Sequence, residues 1–501
     1  MTTATVIGSG PNGLAAAVTL ASAGVDVTVL EAADVPGGGT RSSELTVPGL
    51  LHDECSSAHP LALDTPFSRL VDLGAHGLEW AFPEVQYAHP LDGDSPDSGA
   101  AVWRSVDTTA RYLHDDSDTW RRVYAPLSRS LPAFAEDFLR PMVHVPTNPV
   151  EFVHFGVFAG LPAAAVARLF RTPEARALFA GMAAHTWRPF DSLFSAAIGM
   201  VLGTAAHTYG WPVAVGGSRA ISRAMVSALE QRGGRVVTGV HVDSLDQVTT
   251  ADGTRPDLLF FDTSPGTALR VLGDRVPTRI RSALGKFLQG PGAYSVHLAV
   301  EGGIPWTYAP ARRAGSLHLC GAYEETAAAE ALVSRGRMPE RPFVLLGQQY
   351  LADPSRVSGG ADASGPVPID AYAHVPAGYT GDATEAVLAQ IERFAPGFRD
   401  RVVATHVRTP AEHAAHNPNY VGGDITTGAN DALQLLFRPR PALDPYALGV
   451  PGAYLCSAAT APGAGAHGMC GYNAALSALR SRGIPAPVPA ANSGIGSVEP
   501  S

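Results

Sequence analysis

The first thirty residues show three successive patterns of apolar and small residues. A short β-branched run over residues 4–7 meets a glycine-rich turn, and residues 14–22 are rich in Ala and Leu. A second apolar run follows over residues 25–30. Short apolar runs bounded by glycines are typical of buried strands, whereas an Ala/Leu-rich segment favours a helix. The pattern therefore predicts a strand, a helix and a second strand, which is the opening of an α/β fold.

The turn between the first strand and the helix carries closely spaced glycines. Its candidate cofactor-binding residues are Gly8, Gly10, Pro11, Asn12 and Gly13. Gly8 allows a tight turn, Gly10 lets the backbone approach a pyrophosphate, and Gly13 lets helix and strand pack closely. Glu31 ends the second strand, 23 residues after Gly8, where its carboxylate can accept hydrogen bonds from ribose hydroxyls. Because a helix N-terminus stabilises phosphate, the segment predicts a dinucleotide-binding site.

The glycine motif by itself fits either NAD or FAD, and three further segments bear on the choice. A second glycine cluster ends in an arginine that follows Glu31 by ten residues. A strand, glycine loop and helix recur over residues 452–475, and a glycine turn, helix and strand occupy residues 211–240. Together these segments resemble the amine oxidase and phytoene desaturase superfamily of FAD-dependent oxidoreductases. The C-terminal glycine loop disfavours the alternative of a NAD-dependent dehydrogenase.

The resemblance implies a role for each of these segments. Gly38 and Gly39 would pass close to FAD, while Arg41 would hold its phosphate region, for which a planar guanidinium is well suited. In the segment 211–240, Val240 would contact the adenine. In the segment 452–475, the candidates are Ser457, Gly468 and Met469, which lead to a helix N-terminus beneath the flavin. The expected cofactor is FAD, bound without a covalent link.

Within the superfamily, the chain is most similar to the phytoene desaturase-like branch of pyridine nucleotide-disulphide oxidoreductase domain-containing protein 2. The segments that carry this resemblance are 55–60, 304–306, 373–376, 416–424 and 467–469. One departure is His297, which stands in a strand where that branch usually has a carboxylate. The chain contains no Cys-x-x-Cys pair, so thiol–disulfide exchange through a vicinal pair is excluded.

The dispersed nucleotide segments predict two discontinuous domains. A Rossmann-like (GR2-type) FAD-binding domain is expected from residues 1–75, 205–285 and 425–482. An α+β substrate domain, with a mixed sheet under a helical cap, is expected from residues 76–204 and 286–424. Residues 483–501 form a Pro/Gly/Ser-containing tail, and the Gly/Ser/Ala-rich segment 358–367 is predicted to be a surface loop.

Apolar periodicity predicts the elements of the substrate domain. The predicted helices are 118–131, 132–139, 161–170 and 173–184, and the predicted strands are 294–300, 342–347 and 369–375. Pro132 and Pro173 would each fall in a first helical turn, where a missing N–H costs little. The apolar run 152–166 is expected to be helical core, with a tunnel wall or shallow membrane docking as alternatives.

The sequence specifies the reaction and its catalytic residues less closely than it specifies the cofactor site. Flavin oxidation requires a substrate carbon held against the flavin N5 in a dry pocket, and it does not require a side-chain base. The catalytic residues therefore stay unknown, and the polar candidates near the flavin are His59, Tyr372, His374 and His467. The expected reaction is hydride transfer from a small hydrophobic or amphipathic substrate. The alternatives are a flavin-dependent polyene isomerase and a flavin-containing regulatory or binding protein.

Composition and charge limit the classes of molecule that the protein is expected to bind. The formal net charge is −10 and no basic run occurs, which disfavours nucleic acids. Four scattered cysteines and no apolar span of membrane length predict a cytoplasmic protein, with peripheral membrane contact as the alternative.

No metal is expected, because the His185 and His207 segments lack a partner at ligand spacing. Asp53 is expected either to pair with Arg41 or to contact solvent separately. Oxygen and quinones both stay open as electron acceptors, and the oligomeric state stays open.

Overall fold

The computed structural model describes residues 1–250, 253–360 and 365–488. Its strands are β1 Thr3–Ile7, β2 Asp26–Leu30, β3 Ser42–Ser43, β4 His52–Asp53, β5 Trp80–Ala81, β6 Val85–Pro90, β7 Gly99–Val102, β8 Val213–Ala214, β9 Arg235–Val237, β10 Leu258–Phe261, β11 Gly292–Glu301, β12 Ala314–Leu319, β13 Val344–Gly347, β14 Pro366–Val375, β15 Val402–Arg408 and β16 Ala453–Leu455. Its α-helices are α1 Pro11–Ser22, α2 Pro66–Leu70, α3 Val106–Arg111, α4 Ser117–Phe138, α5 Pro149–Ala159, α6 Ala163–Ala167, α7 Pro173–Ala184, α8 Ala197–Thr208, α9 Arg219–Gln231, α10 Pro265–Leu272, α11 Thr278–Leu284, α12 Tyr323–Ser334, α13 Thr384–Phe394, α14 Pro410–His416, α15 Ala432–Phe437 and α16 Met469–Ser481.

The predicted strand–helix–strand opening forms the centre of a five-stranded parallel sheet. The strand order is β16-β10-β1-β2-β9, and every neighbouring pair is parallel. Parallel strands are covered on both faces and so read as continuous apolar runs, as residues 4–7 and 258–261 do. Both runs are buried. The sheet confirms the predicted α/β class with a Rossmann-like unit.

The second sheet is mixed and has seven strands. Its order is β15-β11-β14-β13-β12-β6-β7, and its neighbouring strands are antiparallel except for the parallel pair β12 and β6. Strand β11 is buried along nearly its whole length, because it is a central strand with β14 on one side and β15 on the other. The predicted strands 294–300, 342–347 and 369–375 all lie in this sheet.

Helix α4 provides the main apolar stripe of the helical layer. Its fully buried residues recur every three or four positions, as Trp120, Tyr124, Leu127, Leu131 and Phe134. This spacing puts all five on one face of a helix. The face packs against neighbouring helices, including α5 and α8, and belongs to the same core as α1 and α16. The helical layer is therefore joined to the nucleotide-binding sheet by one continuous apolar core.

Several predicted element bounds differ from the structure. Pro132 lies inside the continuous helix α4 rather than in a first turn, because the packed apolar stripe outweighs the loss of one backbone hydrogen bond. Pro173 does begin a helix, after the capping side chain of Thr172. The predicted helix 161–170 is reduced to α6.

The predicted loop 358–367 is also shorter than expected at its C-terminal end, because β14 already begins at Pro366. Its residues 361–364 lie outside the described residues, as does the predicted tail from residue 489 onward. Among the residues that the structure describes, no helix has the length and apolar character needed to cross a bilayer.

Candidate functional site

One cavity of about 980 Å³ is lined both by the glycine turn of the parallel sheet and by the helical layer. At one end, its lining includes the carboxyl ends of β1 and β2 and the turn that leads into α1. At the other end, its lining includes residues of α5 and α8 and of the seven-stranded sheet. In open α/β sheets, ligands bind beyond the carboxyl ends of the strands. The cavity therefore occupies the place where a dinucleotide site is expected.

The glycine turn is closely packed around its own backbone. Gly8 has a φ of +98°, and a Cβ on Gly13 would lie 2.3 Å from the Gly8 carbonyl oxygen. Gly8, Gly10, Pro11 and Asn12 line the cavity, whereas Gly13 does not. The structure therefore gives Gly13 the packing role that its spacing predicts. Gly8 and Gly10 line the cavity but are also packed against Asp262, whose atoms lie 2.7 and 2.6 Å from the positions that their Cβ atoms would take.

Glu31 is held in place by the turn opposite it. One carboxylate oxygen accepts hydrogen bonds from the backbone N–H of Ser9 at 2.9 Å and from the Ser9 hydroxyl at 2.5 Å. The other oxygen accepts from the backbone N–H of Ala33 at 2.9 Å. Glu31 and Val240 both line the cavity, and the Val240 N–H donates to the Glu31 carbonyl at 2.8 Å. These bonds orient the carboxylate at the end of β2.

Asp262 also lies at the turn, and the sequence prediction did not single it out. It follows β10 and lines the cavity, and its Oδ2 is 2.6 Å from the position that a Cβ on Gly10 would take. Burial raises the pKa of Asp262 to about 7, and the nearby charge of Glu31 acts in the same direction. A position directly after a parallel strand was the available sequence signal.

The second glycine cluster brings Arg41 to the cavity. Gly38, Gly39 and Arg41 all line it. The Arg41 Nε donates to the Gly38 carbonyl at 3.1 Å, and its Nη2 donates to the His416 carbonyl at 3.1 Å. Both partners are neutral backbone groups, and within the described residues no ion pair joins Arg41 to a carboxylate. These contacts fit the predicted phosphate role, which stays a prediction.

Neither of the arrangements expected for Asp53 is present. Asp53 is buried and its Oδ2 accepts a hydrogen bond from the Arg356 guanidinium at 2.8 Å. Both side chains are completely buried, so Asp53 neither pairs with Arg41 nor contacts solvent. Asp53 lies on β4, and Arg356 follows β13 by sequence, so the ion pair ties two distant segments together. Sequence spacing held no signal for a pair this far apart.

The C-terminal segment contributes unequally to the cavity. Ser457 and His467 line it, whereas Gly468 and Met469 do not. Gly468 precedes α16 in a left-handed conformation, and the Met469 N–H donates to the His467 Nδ1 at 3.0 Å. The Met469 N–H therefore already has a partner in this structure. The predicted contacts of Gly468 and Met469 with a flavin stay predictions.

The end of the cavity away from the nucleotide turn is largely apolar. Its wall includes Phe138, Phe152, Phe155, Phe194, Ile198 and Val201. Part of the apolar run 152–166 thus lines the cavity, as the tunnel hypothesis supposed, and part is buried core. The opposite face of α5 is exposed, with Val153 and Val157 at 62% and 60% of their full exposure.

Two of the four polar candidates line the cavity, namely Tyr372 and His467, and two do not. His59 is buried and its Nε2 is 2.9 Å from the Ser218 hydroxyl. His374 is also buried, and its Nδ1 is 2.7 Å from a carboxylate oxygen of Glu330. Burial lowers the pKa of His59 to about 3, so this imidazole is neutral at physiological pH.

An aromatic stack separates His374 from the cavity. The Trp187 ring lies over the His374 ring with their centroids 3.4 Å apart, and Trp187 and Tyr372 are parallel within 6°. Both Trp187 and Tyr372 line the cavity. His374 therefore supports the wall from behind rather than facing a ligand.

His297 meets a carboxylate from the neighbouring strand. His297 on β11 is in register with Asp370 on β14, and its Nδ1 is 2.8 Å from Asp370 Oδ1. The Nδ1 of His52 is 2.7 Å from the same oxygen. Among the described residues, these three buried side chains are the group with the spacing of metal ligands. Hydrogen bonds to Asp370 account for both short contacts, and the expectation of no metal stays a prediction.

Comparisons with known proteins agree with this geometry. Residues 6–83 match the model of a NAD(P)-binding Rossmann-like domain. The chain is 40% identical over 94 residues to pyridine nucleotide-disulfide oxidoreductase domain-containing protein 2 of Mus musculus. That alignment covers 18% of this chain and 16% of the mouse protein, so the chain matches only a small part of the relative's length.

Solved structures match over nearly the whole chain. A putrescine oxidase bound to putrescine has a TM-score of 0.57 at 16% identity, covering 96% of this chain and 98% of the other. A CLA-producing fatty acid isomerase from P. acnes has a TM-score of 0.55 at 15% identity, covering 94% and 97%. Similarity at this level of identity establishes the fold. The resemblance predicted from the sequence is confirmed at the level of the fold: residues 6–83 match a NAD(P)-binding Rossmann-like domain, and the chain shares the fold of the putrescine oxidase and the fatty acid isomerase.

Proposed function

We propose that the chain binds FAD without a covalent link and oxidises a small hydrophobic or amphipathic substrate. The observation that carries the proposal is the cavity of about 980 Å³, which joins the glycine turn at one end to an aromatic and aliphatic wall at the other. Bound flavin would supply a hydride acceptor at its N5 atom. The chain's own contribution is to hold the substrate in a dry, shaped space beside the cofactor.

The residues at the glycine turn fit a dinucleotide. The N-terminus of α1 lines the cavity, and the positive end of its dipole favours a pyrophosphate, although the N–H groups of Gly10 and Gly13 already bond to the Asp262 carboxylate. Glu31 is oriented to accept hydrogen bonds from a ribose, and Arg41 carries a charge that no described carboxylate neutralises by an ion pair. The remaining residues proposed to hold FAD are Val240, Ser457, Gly468 and Met469.

The cysteines support a non-covalent cofactor. Of the four cysteines, all of them in described parts of the chain, Cys55 is the one that lines the cavity. Burial raises the pKa of Cys55 to about 11, so the group is a thiol rather than a thiolate at physiological pH. A thiol is a weak nucleophile compared with a thiolate, which disfavours attack on a flavin.

The first experiment is an absorbance spectrum of the purified protein, followed by acid precipitation and identification of the released nucleotide. We expect yellow protein that releases FAD into the supernatant. Colourless protein that fails to take up added FAD would contradict the proposal. Colourless protein that binds NAD instead would replace it with a nicotinamide-dependent function.

Turnover needs a second experiment. Bound flavin is photoreduced without oxygen, and its reoxidation is timed after addition of air or of a soluble quinone. Reoxidation by either compound identifies the acceptor class and supports an oxidoreductase. A flavin that neither acceptor reoxidises, and that no substrate candidate reduces, would instead indicate a flavin-containing binding or regulatory protein.

A flavin-dependent isomerase is the second candidate function. It is favoured by the fold similarity to the fatty acid isomerase, which covers 94% of this chain. The two candidates differ in redox balance. An isomerase converts a polyene without consuming an electron acceptor, whereas an oxidoreductase consumes one acceptor for each product formed. Product and acceptor are therefore quantified in the same reaction.

Peripheral contact with a lipid surface is proposed as part of the same function, for a protein expected in the cytoplasm. Helix α5 lines the cavity with one face and exposes Val150, Val153 and Val157 on another. An apolar face of this kind can dock shallowly on a bilayer. Flotation with phosphatidylcholine vesicles should carry a fraction of the protein upward. Substitution of the three valines by serine should abolish flotation, and no flotation of the unchanged protein would contradict the proposal.

A further inference from the structure

A histidine at the wall of the cavity is paired with a second histidine buried behind it, and the proposed function assigns no role to either. His185 follows the last residue of α7 and lines the cavity. Its Nε2 is 3.0 Å from the Nε2 of His318, which lies on β12 and is fully buried. The two imidazoles therefore share one hydrogen bond, and one ring must donate the proton while the other accepts it.

The surroundings of His318 decide which ring donates. The His318 Nδ1 is buried and has no hydrogen-bond partner. If this nitrogen carried the proton, a buried N–H would be left without an acceptor, which is the more costly arrangement. The proton of His318 is therefore on Nε2, and the His185 Nε2 accepts it. In a neutral imidazole, the proton of His185 must then be on Nδ1.

The His185 Nδ1 differs from its buried partner in its surroundings. It is not among the buried side-chain atoms that lack a partner, and the side chain is only partly buried. Within the described residues, His185 Nδ1 has no hydrogen-bond partner, and since it is not a fully buried atom it is accessible from the cavity that His185 lines. The same cavity is lined by apolar side chains such as Phe194 and Ile198, together with the polar side chains of Ser316 and Tyr372. The described part of the chain thus presents a hydrogen-bond donor without a partner at the wall of a largely apolar cavity.

We propose that the Nδ1–H of His185 binds an uncharged acceptor oxygen, such as a ketone or aldehyde carbonyl, on an otherwise apolar ligand. The inference rests on the proposed function, since it names a chemical feature of that substrate. A neutral donor in an apolar wall suits a neutral acceptor, because burying a carboxylate without a cation is costly. Burial lowers the pKa of His185 to about 3, so no imidazolium is present to pair with an anion.

The test compares two probes of similar size and shape, acetophenone and ethylbenzene, which differ by the carbonyl oxygen. Their dissociation constants are measured by calorimetry on the purified holoprotein. In His185→Leu we expect the preference for acetophenone over ethylbenzene to fall about 3- to 10-fold, the range for one net hydrogen bond. His185→Gln keeps an N–H donor and should retain more of the preference. An unchanged preference in His185→Leu would overturn the proposal.

His154→Leu is the matched control, because it removes an exposed histidine from α5 without touching His185. The preference should be unchanged in this variant. An equal fall in both variants would show a general effect of losing an imidazole and would also overturn the proposal. The flavin content of each sample is measured separately. A colourless protein would defeat the proposed function, while the probe preference could still be measured on the same chain.

A second measurement needs no leucine variant. Protein labelled with ¹⁵N in histidine gives nitrogen shifts that distinguish the two neutral tautomers, and the His185 signals are assigned by their loss in His185→Gln. We expect the Nδ1–H tautomer for His185, with signals that move on addition of acetophenone more than of ethylbenzene. The Nε2–H tautomer, or equal shifts with both probes, would contradict the inference.

Discussion

Gly471 of α16 lies directly against the backbone of Asn12 in α1. A Cβ added to Gly471 would be 1.8 Å from the Asn12 carbonyl oxygen and 2.8 Å from the Ala16 nitrogen. These neighbours are helix backbone, which cannot rotate away as a side chain could. The two helices that begin beside the cavity, one after each glycine loop, are thus in backbone contact. Their separation depends on the absence of a side chain at one position.

The first prediction follows from this contact. Gly471→Ala should destabilise the protein by about 1–3 kcal/mol, the range for overpacking a close-packed core. Gly156→Ala is the control, because Gly156 is also in a helix but has no atom within 4 Å of the added Cβ. Alanine there should be neutral or stabilising by up to about 1 kcal/mol. Urea unfolding measures both variants, and equal effects would contradict the explanation.

The nucleotide end of the site could be predicted from the sequence because its determinants are local. Gly8, Gly10 and Glu31 lie within one strand–helix–strand unit, and their spacing follows from the length of that unit. The structure places all three at the cavity. Gly13 was predicted to serve packing, and it is buried against the turn. A local pattern is readable whenever the residues that meet in space are also near in sequence.

The side-chain pairs that join distant segments could not be predicted. His185 and His318 are 133 residues apart, and Asp53 and Arg356 are 303 residues apart. No periodicity links positions at such distances without knowledge of the strand order. The same limit explains Pro132, whose tolerance inside α4 depends on packing against other helices. The sequence identified the elements, but the pairs between them required the fold.

The second prediction concerns the buried pair of Asp53 and Arg356. Both side chains are completely buried, and the Arg356 Nε is also 3.2 Å from Oδ2 of the buried Asp353, so removing Arg356 leaves two uncompensated carboxylates in the interior. Arg356→Met should therefore lower the free energy of unfolding by about 3–5 kcal/mol. Adding Asp53→Asn to that variant should restore part of the loss, because one of the two orphaned carboxylates is then removed.

The control for this pair is an ion pair at the surface. Arg399 and Glu385 are in contact but both are partly exposed to solvent. Arg399→Met should change the free energy of unfolding by less than about 1 kcal/mol. Urea unfolding is suitable for all the variants. A loss for Arg356→Met no larger than that for Arg399→Met would show that the buried pair does not hold the two segments together.

The third prediction concerns the pH dependence of stability at Asp262. Burial raises its pKa in the folded chain from 3.8 to about 7. Between these values the folded chain holds a proton that the unfolded chain has released. The stability contributed by this group therefore falls as the pH rises from about 4 to about 7, and then levels off.

Asp262→Asn removes this titration and keeps a side chain of similar size. The measured quantity is the melting temperature of the variant minus that of the unchanged protein at the same pH. This difference should increase between pH 5 and pH 8, because the unchanged protein loses the stability that protonated Asp262 contributes. Asp246→Asn serves as the control, because Asp246 is exposed at the surface. A difference between Asp262→Asn and the unchanged protein that does not vary with pH would contradict the raised pKa.

The last prediction tests the role of Glu31. Glu31→Ala removes both the acceptor for a ribose and the partner of the Ser9 N–H and hydroxyl. Hydrogen bonds to a charged group contribute about 1.5–3 kcal/mol, so the dissociation constant for FAD should rise by roughly 10- to 100-fold. The measurement is quenching of FAD fluorescence on titration with flavin-depleted protein. Asp26→Ala, at the exposed start of the same strand, should leave the constant unchanged. Equal affinity in Glu31→Ala and the unchanged protein would mean that the carboxylate holds only the turn, and the ribose contact would have to come from elsewhere in the cavity.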